Sequence, residues 1–338
     1  MKRSLETTNK VNAKFPVIVI TGATASGKSR SVYSLESSST IEIINADSRQ
    51  IYKHLKIGTA LPAEKEMNKF KHHLFSFIEP SQSFSAGTYL KKAGKIIGEI
   101  TERGNIPVIV GGTFFYIKAL WDGLAQIPET EKSVLEHVES LGTQELLDEL
   151  KIHDPISHER ISANDIYRLK RALSVALSSG KPLSSYKPTG GIYNKYDFKS
   201  YWLDYPREIL YERINQRTQQ MFDQGLIAEI QELIEQGYNE KSPALTSIGY
   251  REVFDILNES NQTIENWNPA LNKKAIETVS QYTRNFAKRQ ITWFRAEKRL
   301  KRIDQTCDVF QLSDILAEVN SARITNKQKE LESTNGKK

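Results

Sequence analysis

One short run of the chain, Gly22-Ala23-Thr24-Ala25-Ser26-Gly27-Lys28-Ser29, has the residue types and spacing that hold phosphate. In Gly-x-x-x-x-Gly-Lys-Ser the two glycines let the backbone wrap closely round an anion, with amide N–H groups turned inward. The helix that follows presents its positive end to the same anion. Lys28 adds a point charge, and the Ser29 hydroxyl can ligate Mg²⁺. A Gly/Ser-rich turn that binds nothing would look similar in isolation. Here the apolar run Val17 to Ile20 precedes the loop, and helix-compatible Arg30 to Leu35 follows it. That strand–loop–helix context predicts a bound phosphorylated ligand.

Other candidate groups are scattered along the chain. Asp47, in Asn45-Ala46-Asp47-Ser48-Arg49-Gln50-Ile51-Tyr52, puts a carboxylate just past an apolar run. It could hold Mg²⁺ through water, take a proton from an acceptor, or simply cap the next helix. The Gln50 amide can pair with a nucleobase edge. Gly111-Gly112-Thr113 offers close backbone approach and one hydroxyl, and could equally be a tight turn. Arg213 and Arg217, one helical turn apart, could clamp a diphosphate or lie on the surface. Two basic clusters are interleaved with aromatics: Tyr167-Arg168-Leu169-Lys170-Arg171, and Thr283 to Arg295, where helical spacing aligns Arg284, Lys288 and Arg295. Arginines suit phosphate contacts and aromatics suit base stacking, though solvated basic helices share the pattern. His72-His73 is not read as a metal site, because adjacent side chains diverge and no third ligand lies at suitable spacing.

The elements that must position these groups can be traced by hydrophobic pattern. Val17–Ile20, Ile41–Asn45 and Pro107–Val110 are expected strands, and Ser85–Arg103 an expected helix ending at Gly104. Strand–helix alternation predicts an α/β fold, a parallel sheet flanked by helices, with ligands beyond the carboxyl ends of the strands. That rule aims Lys28, Asp47 and Thr113 at one crevice. From Asp122 the pattern turns helical, over Glu129–Leu150 and Asp165–Ser178. In the second of these Ile166, Leu169, Leu173 and Leu177 form an apolar stripe. Ser200–Asp204 is an expected return strand, and Pro206 opens a helix towards Gly225. The expected division is a core of 14–121 and 200–320, a helical insertion of 122–199, and a disordered tail of 321–338.

The net charge of +6 over 338 residues favours an anionic partner. A single cysteine, Cys307, excludes an internal disulfide or a cysteine-cluster metal site and fits a reducing compartment. With no apolar leader-like segment at the start and no 18-residue apolar run, a soluble cytoplasmic protein without membrane association is expected. Nothing requires more than a monomer.

Taken together, the ordered blocks resemble the tRNA dimethylallyltransferases, or tRNA isopentenyltransferases, over roughly residues 16–300. The blocks are Gly22–Ser29, Ala46–Tyr52, Ile57–Ala60, His72–Leu74, Gly111–Thr113 with Tyr116–Leu120, Asn164-Asp165 with Arg168–Leu173, Ile248–Tyr250 and Ala287–Arg295. The loop alone is shared with nucleotide-binding kinases and GTPases; the series is specific. The resemblance implies transfer of a dimethylallyl group from dimethylallyl diphosphate to N6 of adenosine 37, next to the tRNA anticodon. It implies that the loop grips the allylic diphosphate rather than ATP. By the same resemblance Asp47 is the general base and Thr113 sits at the leaving oxygen. Ser48 and Gln50 help hold the flipped base, Arg49 beside them is a tRNA contact, and Arg168–Arg171 with Lys288–Arg295 meet the anticodon stem-loop. Two departures are visible: Ala23 replaces a common proline, and Leu135 stands where an arginine usually approaches tRNA. The alternatives are an adenylate isopentenyltransferase acting on free nucleotides, a P-loop kinase, and a non-catalytic RNA-binding protein.

Overall fold

The computed structural model describes residues 14–33, 35, 40–306 and 311–321. Strands among these residues are β1 (Pro16–Gly22), β2 (Ile41–Asn45), β3 (Lys71–His73), β4 (Ile106–Val110), β5 (Gly123–Leu124), β6 (Thr189–Gly190), β7 (Asp197–Asp204) and β8 (Lys301–Asp304). Helices are α1 (Lys28–Tyr33), α2 (Glu64–Met67), α3 (Ala86–Glu102), α4 (Phe114–Asp122), α5 (Lys132–Ser140), α6 (Thr143–His153), α7 (Pro155–Arg160), α8 (Ile166–Ser179), α9 (Arg207–Asp223), α10 (Leu226–Glu235), α11 (Arg251–Ser260) and α12 (Pro269–Ala296). A further helix covers 312–321.

Six strands form one sheet in the order β3-β2-β4-β1-β7-β8, and every pairing is parallel. β1, β2 and β4 are buried along their whole length, as strands covered on both faces must be. Ile18, Ile20, Ile43 and Val108 pack on one face with Val32 of α1 and Leu312 and Val319 of the last helix. Towards the other face, Trp202 of β7 meets Phe294 of α12 at 6.1 Å between ring centroids. The α/β expectation is met.

The chain divides into two compact units, Met1–Lys118 with Tyr193–Lys338, and Ala119–Ile192. The second unit is helical, with a core of Val138, Leu146, Leu150, Leu169, Ala172 and Leu173. The two-residue ladder β5–β6 ties its ends. Gly123 must lack a side chain there, because a Cβ would fall 1.8 Å from the Thr189 carbonyl oxygen. Buried Asp154 accepts from the N–H and hydroxyl of both Ser157 and Ser184, which caps α7 and pins the turn after α8.

Several boundaries differ from expectation. The long helix over Glu129–Leu150 is two, α5 and α6, broken at Leu141-Gly142, where Gly142 becomes an N-cap. The return strand starts at Asp197 rather than Ser200. β3 and β8 were not anticipated: each is short and carries charged or imidazole side chains, so neither shows strand periodicity. The last helix is described as far as Ser321; the rest of the expected tail and the loose 1–13 segment lie outside the described residues.

Candidate active site

The carboxyl ends of β1, β2 and β4 open into a cavity of about 840 Å³ in the first unit. Its lining includes Thr24, Lys28 and Ser29 from the phosphate loop, Asp47 to Gln50 after β2, and Gly111 to Thr113 after β4. Arg217 from α9 and Arg289 and Gln290 from α12 complete that side. The volume lies in the range of small-molecule sites, about 300–1,000 Å³.

The phosphate loop is shaped by its backbone. Gly22 adopts φ +153, and a Cβ there would strike Ser26 Oγ and the Leu203 carbonyl at 2.5 and 2.7 Å. Lys28 Nζ donates to the Gly22 and Ala23 carbonyls at 2.9 and 2.8 Å, so the ammonium lies across the mouth of its own loop. Burial pushes this ammonium down to about 8; Asp47 works against that and Arg217 adds to it. Arg217 is also lowered by burial and held up by Asp47. Asp47, Lys28 and Arg217 all line the one cavity, the carboxylate near enough to act on both cations. Arg217 Nη1 donates to Thr24 Oγ1 at 3.2 Å.

Asp47 does not cap a helix. Its Oδ1 accepts the Arg49 N–H at 2.8 Å within a turn, and its own N–H donates to Asn45 Oδ1 at 2.8 Å. Asn45 also donates to the Asp47 and Leu74 carbonyls, which fixes the end of β2. Thr113 Oγ1 accepts the Ser48 N–H at 2.9 Å and donates to Ser48 Oγ at 3.2 Å. The loops approach this closely because Gly111 has no side chain; a Cβ would sit 2.1 Å from the Ala46 carbonyl carbon. Gln50 donates through Nε2 to the Thr59 and Ala60 carbonyls, leaving its oxygen as the group that can meet a base.

Some expected site residues lie elsewhere. Ala23 is buried among Leu210, Ile214 and Ala287, and Ser26 is folded beneath the loop. With Gly22, Ala25 and Gly27 they shape the cradle rather than line the cavity. Arg213 turns from the crevice to stack 4.0 Å above the Tyr205 ring; spacing gave it the same helix side as Arg217, but tertiary packing separates them. Leu169 is fully buried in the helical unit and is unavailable to RNA, as its place in the apolar stripe dictates. Tyr167 beside it is 82% exposed. Arg168 pairs with Asp165 at 3.4 Å, Lys170 with Glu139 at 2.6 Å, and Arg171 donates to Thr130 Oγ1 at 3.1 Å. Arg284 donates to Asn215 and Gln281. Lys288 and Arg295 line a smaller cavity of about 210 Å³ with Arg207 and Arg302. His72 and His73 belong to β3, bonded to the Tyr33 hydroxyl at 2.9 Å and the Glu42 carboxylate at 2.7 Å.

Two supporting residues escaped the sequence reading. Buried Glu229 accepts the N–H groups of Lys56, Ile57 and Gly58 at 2.8, 2.8 and 3.2 Å, and the Tyr250 hydroxyl at 2.6 Å. It thereby holds the 56–62 wall of the cavity. Gln290 bridges the Thr24 N–H and the Gly112 carbonyl. Its signal was present: a polar residue at the spacing of Ala287 and Phe294, on the buried face of α12.

Comparison with known proteins identifies the family of the chain. The IPP transferase model matches residues 50–297, and an isopentenyl transferase model matches 15–79. The chain is 36% identical to a tRNA dimethylallyltransferase of Geobacter sulfurreducens, over 91% of this chain and 97% of the relative. It is equally identical to that of Staphylococcus carnosus, with the same coverage. The solved full-length tRNA isopentenylpyrophosphate transferase of Bacillus halodurans superposes with a TM-score of 0.63 at 32% identity, covering 94% of this chain and 99% of that one. A eukaryotic dimethylallyltransferase acting on tRNA gives 0.70 at 25% identity, covering 86% and 74%. On the match to its family model and to these relatives, the chain belongs to the IPP transferase family.

Proposed function

We infer that this chain transfers the dimethylallyl group of dimethylallyl diphosphate to N6 of adenosine 37, beside the anticodon of tRNA, and releases diphosphate. The observation that carries the reading is one cavity with a cationic wall of Lys28 and Arg217 beside a carboxylate, Asp47. The chemistry needs both. An exocyclic adenine amine is a weak nucleophile because its lone pair is delocalised into the ring. Asp47 takes the N6 proton as the new N–C bond forms. The C–O bond to the allylic carbon breaks, and its electron pair leaves with the diphosphate, which Lys28, Arg217 and the loop amides stabilise. In this reading Thr113, which lines the same cavity and is tied to Ser48, meets the leaving oxygen. The adenine leaves its stack to reach the cavity, so affinity comes from the RNA backbone. The exposed Tyr167 and the cations of α12, with Arg168 and Arg171, supply such contacts.

The donor set suits Mg²⁺. Ser29 and Asp47 both line the cavity, and among the described residues no group of three His, Cys, Asp or Glu could hold a metal. A phosphate-loop hydroxyl is a ligand for Mg²⁺, and the ion usually keeps several waters beside substrate phosphates. Ser29 would hold the ion, which neutralises charge on the diphosphate. The deciding experiment offers labelled dimethylallyl diphosphate with unmodified tRNA, AMP or ATP. Label on tRNA alone is expected; label on AMP and none on tRNA would reassign the acceptor.

A further inference from the structure

Gln290 is 6% exposed, and each end of its amide is committed to a different loop. Oε1 accepts the Thr24 N–H at 2.9 Å, in the loop after β1. Nε2 donates to the Gly112 carbonyl at 2.8 Å, in the loop after β4. Both bonds run onwards. Thr24 Oγ1 receives Arg217 Nη1, and Thr113, next to Gly112, receives the Ser48 N–H beside Asp47. A hydrogen-bonded line thus runs Arg217, Thr24, Gln290, Gly112-Thr113, Ser48. Its two ends are the diphosphate wall and the carboxylate. At neutral pH glutamine supplies an acceptor and a donor side by side at this length, where an ionised glutamate only accepts. There is no slack either: a Cβ on Gly112 would fall 2.7 Å from Gln290 Nε2.

We propose that Gln290 is a positioning residue for the transfer, fixing the separation between the diphosphate cradle and Asp47. Although it lines the cavity, both its amide atoms are committed, so it acts through Thr24 and Gly112. The inference rests on the function proposed above. Misplacing reacting groups by about 1 Å costs about 10²-fold in rate. Gln290→Met keeps the length without the amide, and Gln290→Asn keeps the amide one methylene too short to reach both loops.

The test measures single-turnover transfer to tRNA at saturating substrates, with separate affinities for tRNA and a non-transferable allylic diphosphate analogue. Both variants should lose about 10²-fold in the transfer step while each affinity stays within about 3-fold of the parent. Gly112→Ala strains the same bond from the other side, so the double variant Gly112→Ala/Gln290→Met should be no slower than the worse single one. Parent-like turnover in both Gln290 variants, a loss confined to affinity, or multiplying losses in the double variant would overturn the proposal. Absence of transfer by the parent protein would instead overturn the assigned reaction.

Discussion

Replacing Asp47 with asparagine separates the two duties of its carboxylate. The carbonyl of the new amide can still accept the Arg49 N–H now bonded at 2.8 Å, so the turn is retained. What disappears is the proton acceptor and one negative charge beside Lys28 and Arg217. Loss of a general base lowers the transfer rate about 10²–10⁴-fold, or about 3–5 kcal/mol of barrier. Loss of the charge leaves two cations facing the diphosphate, so its binding is unchanged or tighter. The pH dependence sharpens the point. The ammonium form of Lys28 binds the diphosphate, so affinity falls as pH rises through about 8 in the parent. Burial and Arg217 both depress this group and Asp47 opposes them. With Asp47 gone, Lys28 titrates lower and the alkaline fall in affinity moves to lower pH. Single-turnover transfer of labelled dimethylallyl, with calorimetric affinity for a non-transferable analogue across pH, reads all three effects. Parent-like turnover, a loss expressed wholly as weaker diphosphate binding, or an alkaline limb shifted upward would refute the reasoning.

Glu229→Ala strips the acceptor from three backbone N–H groups and the Tyr250 hydroxyl, and should cost about 3 kcal/mol or more by chemical denaturation; an unchanged midpoint contradicts that. Burial alone would raise Glu42, but bonds from Arg103, Asn105 and His73 outweigh it and hold the carboxyl at about 2. Its folded value lies below the unfolded one, so the stability it adds is present above about 4.5 and is lost as pH falls towards 2. Glu42→Gln should therefore be destabilised at neutral pH and show a shallower decline on acidification; an acid unfolding curve parallel to the parent's would be inconsistent. Lys288→Ala should weaken tRNA binding and flatten the slope of log affinity against log salt by about 1, measured by filter binding across ionic strength. An unaltered slope removes Lys288 from the RNA interface.

The phosphate loop was legible because its chemistry is contiguous: residues 22–29 are strand exit, turn and helix start at once. Asp47 and Thr113 were legible because the parallel-sheet rule sends every strand's exit to one edge. Buried strands β1 and β4 announced themselves as apolar runs and β2 as one interrupted by Glu42, whereas β3 and β8 are defined by pairing with neighbours rather than by pattern. Arg213 and Arg217 show where local geometry stops. They share a helix side, and only the Tyr205 ring and the Thr24 hydroxyl decide which one enters the cavity. Leu169 shows that an apolar stripe outranks a basic neighbourhood: periodicity places it in the core whatever surrounds it in sequence.

The strand order sets how far Asp47 stands from the phosphate loop. In β3-β2-β4-β1-β7-β8, Asp47 follows β2 and Lys28 follows β1, with β4 between them. Neighbouring strands are about 4.8 Å apart, so the two exits stand about 10 Å apart before side chains reach inward. Were the strands adjacent, about 5 Å would bring carboxylate and ammonium into direct ion pairing and leave no room for a base. Two strands apart, Lys28 bonds its own loop carbonyls instead, and both charged groups stay committed to the cavity. The intervening β4 exit must then be low and narrow, which is why Gly111 and Gly112 carry no side chains where Ala46 and Gln290 press in. The separation of Asp47 from the phosphate loop is thus an arithmetic consequence of sheet topology, and the bonds of Thr113 and Gln290 link the loops across it.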